Sequence, residues 1–265
     1  MKDILQEIVA NKREEVRRQK EAVSLQTLLT MAGDRMERTP HSMRAALEES
    51  PTGIIAEFKR KSPSKGWLHP GAQVADTLPA YEENGASACS VLTDGDYFGG
   101  SFGDLCQARR LVRLPLLRKD FIIDSYQLFQ ARAMGADAVL LIAAALTPEE
   151  CKRLAETAHG LRLEVLLEIH REEELDYVTE AVDMLGVNNR NLGTFHTDVE
   201  NSFRITHALG KVSGAPLLVS ESGISRPETV KQLRAIGFRG FLIGETFMRH
   251  ERPGEALRLF RGGLL

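Results

Sequence analysis

Acidic, basic and amide side chains end or follow several short apolar runs of the sequence. They are Glu57, Lys59, Lys119, Glu168, Asn188, Arg190 and Glu221. A lysine ammonium group beside carboxylates can donate protons, and a lysine amine can also form a covalent bond to a carbonyl carbon. Any one of these residues could simply cap a strand or form a salt bridge. Desolvating the whole set costs free energy, so we expect the residues to serve one site.

The runs that carry these residues alternate with amphipathic stretches from Gly53 onwards. We predict eight strands, over residues 54–58, 88–93, 115–119, 138–143, 163–168, 184–188, 217–221 and 240–244. Each gap is long enough for a helix, as a right-handed parallel crossover requires. Segments such as AMGADAVLLIA place a glycine just before a strand, which is typical of the turn that follows a helix. The predicted fold class is α/β.

Eight βα units favour a closed (βα)8 barrel, the TIM barrel, over an open doubly wound sheet. A dinucleotide-binding open sheet would place a GxGxxG turn after its first strand, and none follows Phe58. In a barrel the chemistry lies at the carboxyl ends of the strands. Glu57 and Lys59 are two residues apart, so they share a strand face and can reach the same site.

The beginning of the chain has a helical pattern instead. Apolar residues recur there at helical spacing, at Ile4, Leu5, Ile8, Val9 and Val16. We therefore predict a single domain over residues 1–265, in which residues 1–49 form an N-terminal helical extension.

Two turns of small residues, SESGIS and IGETFM, follow the seventh and eighth predicted strands. They contain Ser222, Gly223, Gly244 and Glu245. At this place in barrels, backbone N–H groups and a helix N-terminus commonly bind phosphate. A lone glycine would be explained by a tight turn, but two at neighbouring strand ends predict an anion site.

Composition excludes several classes of partner. A formal net charge of −3 gives no global field for a polyanion, so we expect no nucleic-acid partner. No apolar stretch is long enough to span a bilayer and the N-terminus lacks an apolar leader, so we expect no membrane partner and a cytoplasmic protein. The three cysteines lack CxxC spacing and the seven histidines lack paired ligand spacing. We therefore predict no metal site, and interpret the histidines as surface or capping residues.

Seven segments resemble, in order, the strand-end motifs of the indole-3-glycerol-phosphate synthase family. They are IIAEFKRKSPSKG, SVLTDGDYFGGS, LLRKDFIID, LLEIH, GVNNRNL, SESGI and LIGETFMR. The N-terminal extension also resembles that of the family, which packs on the barrel and helps to close the active site. The resemblance implies ring closure of 1-(2-carboxyphenylamino)-1-deoxyribulose 5-phosphate to indole-3-glycerol phosphate, with loss of carbon dioxide and water and without a cofactor.

The resemblance also implies roles for single residues. Lys119 is similar to the family's general acid, which protonates the substrate's ketone. Glu168 matches the principal proton-transferring carboxylate and Glu57 its helper, while Lys59 would bridge anionic groups of the substrate and orient Glu57. The catalytic set is completed by two residues that would hold the sugar hydroxyls and the catalytic groups in register, Asn188 and Glu221.

Further positions resemble the family's substrate-binding residues. They are Ser62, Phe121, Arg190, Leu192, Ser222, Gly223, Gly244 and Glu245. Phe121 and Leu192 would flank the anthranilate ring, and the last three would offer backbone N–H groups to phosphate. Two positions depart from the pattern. Asn191 stands where an acidic residue is frequent, and Glu245 places an anion in the phosphate turn. We expect the Glu245 side chain to point away from the phosphate and only its N–H group to be used.

Two other functions remain open at this point. One is another phosphosugar barrel enzyme, an isomerase or a Schiff-base aldolase that uses Lys119 or Lys59 as the nucleophile. The other is a non-catalytic barrel that binds a phosphate sugar and regulates a partner. In each case we expect a small-molecule phosphosugar ligand and a monomer or weak homo-oligomer.

Overall fold

A computed structural model of the chain describes residues 4–190, 197–209 and 216–265. The strands in these ranges are β1 (Ile54–Phe58), β2 (Lys61–Ser62), β3 (Gly66–Trp67), β4 (Ala88–Leu92), β5 (Leu116–Lys119), β6 (Ala138–Ile142), β7 (Glu164–Ile169), β8 (Met184–Asn188), β9 (Leu217–Glu221) and β10 (Gly240–Ile243). The α-helices are α1 (Ile4–Ala22), α2 (Leu25–Ala32), α3 (Met43–Glu49), α4 (Val74–Glu83), α5 (Phe102–Leu111), α6 (Ser125–Met134), α7 (Pro148–Gly160), α8 (Glu200–Leu209), α9 (Pro227–Ala235), α10 (Glu245–Met248) and α11 (Pro253–Gly262). Short 3-10 helices cover Gly33–Met36, Ala143–Ala145 and Glu172–Tyr177.

Eight parallel strands close into a barrel in the order β1-β10-β9-β8-β7-β6-β5-β4. The remaining two, β2 and β3, form an antiparallel hairpin in the loop after β1. Each predicted strand begins and ends within one residue of an observed barrel strand. The prediction of an α/β fold with a (βα)8 barrel is therefore confirmed.

The alternation of side chains along each strand divides the core into two layers. Ile55 of β1 packs inside the barrel with Leu117 and Leu166. Its neighbours Ile54 and Ala56 pack instead between the strands and the outer helices. Both layers are apolar, which explains why the strands appear in the sequence as short continuous apolar runs.

The turns around the strands are fixed by local sequence. Asp124 caps α6 by accepting a hydrogen bond from the Tyr126 amide, and Gln127 completes a capping box. The cap fixes the loop that leads out of β5. Gly135 ends the same helix with φ 93°, and Gly85 and Gly237 adopt φ 87° and 110° before their strands. The recurring glycine of the sequence is thus the left-handed residue that ends a helix.

The N-terminal extension packs on both ends of the barrel. Met43 and Leu47 of α3 are buried against residues inside the barrel, and the α3 amides of Met43 and Arg44 donate to Glu164 at the start of β7. Helix α1 lies at the opposite end, where Ile4, Leu5 and Ile8 border the cavity at the carboxyl ends of the strands. The N-terminal extension therefore contacts both ends of the barrel, the end where the strands begin and the end that holds the cavity.

Candidate active site

The carboxyl ends of the barrel strands surround a cavity of about 520 Å³. Nearly every residue that the sequence predicted for the site lines it. These are Glu57, Lys59, Ser62, Lys119, Phe121, Glu168, Asn188, Arg190, Glu221, Ser222, Gly223, Gly244 and Glu245. Leu192 and the neighbouring Asn191 lie outside the described residues. The closed parallel topology explains the assembly, because it brings the carboxyl ends of all strands to one rim.

Lys119, at the end of β5, connects carboxylates from the other side of the cavity. Its Nζ lies 2.5 Å from Oε2 of Glu221 on β9 and 3.2 Å from Oε2 of Glu168 on β7. A second pair forms along β1, where Lys59 Nζ is 2.6 Å from Oε1 of Glu57. Glu57, Glu168 and Glu221 are almost fully buried. The cavity floor thus holds three carboxylates and two ammonium groups in contact.

The crowding of three acids around Lys119 sets their protonation. Burial raises the pKa of Glu221 to about 7, with Glu168 adding to the shift and Lys119 opposing it. Burial also works against ionised Glu57 and Glu168, but nearby cations hold the pKa of each below its usual value. Desolvation disfavours charged Lys119 as well, yet the carboxylates hold its pKa above the ordinary range. Near neutral pH the cluster therefore contains a charged donor and an acid that exchanges its proton.

Two glycines allow these acids to approach their neighbours. A Cβ at Gly186 of β8 would lie 2.2 Å from Glu221 Oε1, and a Cβ at Gly244 would lie 2.5 Å from Glu57 Oε1. From the sequence, Gly244 was predicted to belong to the phosphate turn alone, and Gly186 carried no prediction. Because a larger residue at Gly244 would displace Glu57, such a substitution would disturb catalysis as well as phosphate binding.

His170 contradicts the interpretation of the histidines as surface or capping residues. It follows Glu168 by two residues, directly after the end of β7, and its ring nitrogens are both buried. Its Nε2 lies 3.4 Å from Glu168 Oε1. The signal that could have found it was present in the LLEIH motif, because residues i and i+2 of a strand share one face.

An aromatic pair forms one wall of the cavity. The rings of Phe98 and Phe121 lie 6.0 Å apart between centroids, at 41°, and both line the cavity. Phe98 belongs to the loop after β4 and was not selected from the sequence, although it lies in the motif SVLTDGDYFGGS. A planar apolar group would fit against this wall.

Lys12 of α1 joins the loops that carry the two rings. The residue has no exposed surface, and its Nζ lies 3.0 Å from both Asp94 Oδ2 and Asp120 Oδ1. Asp94 accepts hydrogen bonds from the amides of Tyr97 and Phe98, and Asp120 accepts one from the Phe121 amide. Lys12 was not predicted from the sequence, although its spacing places it on the apolar face of α1.

The two aromatic rings lie in the loops after β4 and β5. The turns after β9 and β10 face the cavity from the opposite side. Ser222 and Gly223 both have positive φ, at 67° and 77°, and a Cβ at Gly223 would lie 2.6 Å from Thr197 Cγ2. The tight turn therefore requires glycine there. Gly244 precedes α10, whose first amides have no acceptor within the helix.

The Glu245 side chain takes part in the site rather than pointing away from it. Its Oε2 lies 3.1 Å from Arg190 Nη2, and its Oε1 pairs with Arg249. The other Arg190 nitrogen Nη1 donates to Ser64 Oγ at 2.8 Å, in the loop after β1. Arg190 thus connects the loops after β1 and β8 to α10, and a carboxylate contacts two guanidinium groups that could bind an anion.

Among the described residues, no group of three or more histidine, cysteine, aspartate or glutamate side chains is arranged to hold a metal ion. Neither does that part of the chain contain a helix long and apolar enough to cross a membrane. The fold and the paired ionisable groups at its carboxyl rim define a (βα)8-barrel enzyme.

Comparisons with known proteins specify the family. The model of the family described as indole-3-glycerol phosphate synthase matches residues 5–260. The indole-3-glycerol phosphate synthase of Bacteroides thetaiotaomicron is 59% identical over 260 residues, covering 98% of each chain. That of Neisseria meningitidis serogroup B is 47% identical, covering 94% of this chain and 95% of the relative.

Solved structures support the fold alone. A mutant tryptophan synthase alpha-subunit from Pyrococcus furiosus has a TM-score of 0.60 at 17% identity, covering 80% of this chain and 97% of the other. The chain belongs to the indole-3-glycerol phosphate synthase family. It is a carboxy-lyase of tryptophan biosynthesis that acts on a phosphosugar substrate, as the sequence motifs predicted.

Proposed function

We propose that the cluster around Lys119 performs the family's ring closure. The substrate is 1-(2-carboxyphenylamino)-1-deoxyribulose 5-phosphate, and the products are indole-3-glycerol phosphate, carbon dioxide and water. The observation that supports this assignment best is the contact of one buried ammonium group, Lys119, with both Glu221 and Glu168 on the floor of the cavity. A charged donor held among acids suits a reaction that transfers several protons.

In the first step, Lys119 donates a proton to the ketone oxygen as the aromatic carbon attacks the carbonyl. The neighbouring acids keep the ammonium group protonated before the step, since they hold its pKa above the usual value. Carbon dioxide then leaves, and the electrons of the broken bond restore the aromatic ring. Glu221 remains within hydrogen-bonding distance of the lysine and can return a proton to it.

In the later steps, a hydroxyl group leaves as water and the adjacent methylene carbon loses a proton. Glu168 is assigned the main proton transfer and Glu57 assists it. Both are buried and ionised near neutral pH, since cations lower the pKa of each. The Asn188 side chain helps to lower the pKa of Glu168, and we assign it to orienting the carboxylate that must move the proton.

The substrate's remaining groups are assigned to the walls of the cavity. The anthranilate ring packs against Phe121 and Phe98, with Leu192 as a further candidate outside the described residues. Lys59 bridges the anionic groups of the substrate and holds Glu57. The polar remainder of the binding set is Ser62, Arg190 and Ser222.

Phosphate binding is assigned to the turns that contain Gly223, Gly244 and Glu245. Backbone amides at the start of α10 and the left-handed turn at Gly223 support this proposal. The Glu245 carboxylate would have to give up Arg190 or Arg249 when phosphate binds, because two anions cannot share these guanidinium groups without repulsion.

Purified protein mixed with the carboxyphenylamino substrate tests this function directly. We expect indole fluorescence to increase with time and carbon dioxide to be released in equal amount, without an added metal or cofactor. Lack of indole formation with folded protein would reject the proposal. We further propose that residues 1–265 form one domain with residues 1–49 as its packed extension, that the protein is cytoplasmic, and that it is a monomer or weak homo-oligomer without a nucleic-acid partner.

A further inference from the structure

His170 is a buried ionisable group that none of the steps above uses. Its Nε2 lies 3.4 Å from Glu168 Oε1, and its Nδ1 lies 3.9 Å from Glu174 Oε2. Both ring nitrogens are buried without a hydrogen-bond partner among the described residues. Burying a polar ring in this way costs free energy, so the imidazole requires an explanation beyond packing.

The position of His170 connects the cavity floor to the rim of the barrel. Glu168 lies on the cavity side, whereas Glu174 lies in the 3-10 helix after β7 and pairs with Arg171, whose side chain is 67% exposed. The backbone of His170 is held firmly, since its amide donates to Glu174 at 2.6 Å and its carbonyl accepts from Asn201. The imidazole therefore stands between a catalytic carboxylate and a second buried carboxylate, Glu174, which pairs with the exposed Arg171.

The proton balance of the proposed reaction explains why a connection between Glu168 and the rim through His170 would be needed. The ketone oxygen gains two protons before it leaves as water, and the methylene carbon returns one. Decarboxylation leaves its electron pair in the ring and releases no proton. Each turnover with an ionised substrate carboxylate therefore consumes one proton, which must come from solvent to a buried cluster. Without a supply of protons, Glu168 and Lys119 could not return to their starting states.

We propose that His170 conducts this proton from the rim to Glu168. The imidazole gives its Nε2 proton to Glu168 Oε1 and takes up a proton at Nδ1, on the side of Glu174. Glu168 becomes a carboxylic acid and protonates the departing hydroxyl group. As a carboxylate again, it takes the methylene proton and passes it to the Lys119 amine, 3.2 Å away, which restores both groups. A water molecule would complete the 3.9 Å contact between Nδ1 and Glu174. After the product leaves, exchange with solvent restores the starting tautomer.

The charges around His170 are consistent with this role. Glu168 faces it from its own strand and Glu174 from the following 3-10 helix. Lys119 of β5 and Arg171 stand behind these two acids and pair with them. Each carboxylate that contacts the imidazole is therefore also shared with a cation on its far side.

The test compares His170→Ala and His170→Asn with the wild type in the full chain, with indole formation as the readout. We expect kcat to fall about tenfold in both variants, with KM changed less than about twofold, because the relay affects proton supply and not binding. The loss should increase from pH 6 to pH 8, as solvent protons become scarcer. Added imidazole should restore most of the rate of His170→Ala, whose side-chain space is empty, but not of His170→Asn.

A matched control is available at the other end of the barrel. His159 also pairs with a carboxylate, Asp183, at 2.9 Å, and His159→Ala should leave kcat and its pH profile unchanged. Wild-type rates in His170→Ala, or a loss that imidazole does not restore, would overturn the relay while leaving the ring closure intact. The relay rests on the proposed reaction, so absence of indole formation in the wild type would overturn both.

Discussion

The two ends of the barrel both bury charges, but they satisfy them differently. At the amino end of the strands, Asp137 accepts hydrogen bonds from Arg38, Arg109 and two backbone amides. At the carboxyl end, Glu168 and Glu221 both pair with Lys119, and Glu221 Oε1 has no hydrogen-bond partner in the described part of the chain. The first end stabilises the fold, whereas the second leaves polar atoms ready for a ligand at a cost in stability.

Substitution of Lys119 should give the largest effect, because it removes the cation around which the carboxyl end is organised. We expect Lys119→Ala to lower kcat by about a hundredfold or more, the range for losing a positioned proton donor, while KM changes far less. Steady-state kinetics by indole fluorescence measure both constants. Since Glu221 and Glu168 would lose their cation, Lys119→Met serves as a second variant that keeps the side-chain volume.

The same residue distinguishes acid catalysis from Schiff-base chemistry. A general acid forms no bond to carbon, whereas a Schiff-base lysine can be trapped on its ketone substrate by reduction. Borohydride added during turnover should leave no substrate-sized increase in mass. A reduced adduct on Lys119 would overturn the proposed mechanism, and near-normal turnover in Lys119→Ala would leave Lys59 as the better candidate.

Substitution of Asp137 should have the opposite profile. We expect Asp137→Asn to lower the free energy of unfolding by about 2–3 kcal/mol, since the negative charge is lost and one of the two acceptor oxygens becomes an NH2 group that faces buried donors. Because Asp137 lies away from the cavity, kcat of the folded variant should stay near the wild-type value. Urea denaturation and kinetics on the same sample check both parts. A large fall in kcat with unchanged stability would show that the two ends are not separate.

Lys59 also lies at the cavity end, and we expect it to serve both catalysis and substrate binding. We expect Lys59→Ala to lower kcat/KM about tenfold or more, with kcat and KM both affected, because one charge-assisted contact orients Glu57 and another binds substrate. Lys61 of β2, which donates to the Asp96 carbonyl in the loop after β4, provides the control variant Lys61→Ala. A change confined to KM would remove Lys59 from the catalytic set.

The fold and most of the residues that line the cavity could be predicted from the sequence, for specific physical reasons. Buried parallel strands must be continuous apolar runs, and a closed barrel brings their ends together, so Glu57, Glu168 and Glu221 could be grouped without coordinates. Lys12 and its partner Asp120 are far apart in the chain, and only tertiary packing reveals that contact. Gly186 could not be recognised from its neighbours in the sequence. A glycine is required there because Glu221 approaches from the next strand, and only the fold reveals this.

Glu245 shows a different limit, because its side-chain direction could not be read from the sequence. We expect Glu245→Ser to tighten binding of inorganic phosphate and to lower KM by about fivefold, since the carboxylate would no longer compete for Arg190 and Arg249. Calorimetric titration with phosphate measures the first quantity. Glu255→Ser, which removes an exposed pairing with Arg252, is the control. Weaker phosphate binding in Glu245→Ser would mean that the side chain assists the site.

The smallest expected effect is on the free energy of unfolding. It tests whether the buried charges at the cavity end lower the stability of the folded protein. Burial raises the pKa of Glu221 to about 7, well above that of the unfolded chain, so the folded protein binds a proton that the unfolded chain does not. The stabilisation from this group is complete below the unfolded pKa and is lost as pH rises through about 7. Between about pH 7.5 and 6.5 the free energy of unfolding of the wild type should therefore increase by somewhat less than about 1 kcal/mol on acidification.

In Glu221→Gln that gain should disappear, because the neutral amide does not titrate. Asp137 provides the contrast: Asp137→Asn should keep the wild-type gain over this interval, since it leaves Glu221 in place. Denaturant unfolding of the three proteins across the interval measures the difference, and an equal gain in Glu221→Gln would assign the titration to another group of the cluster.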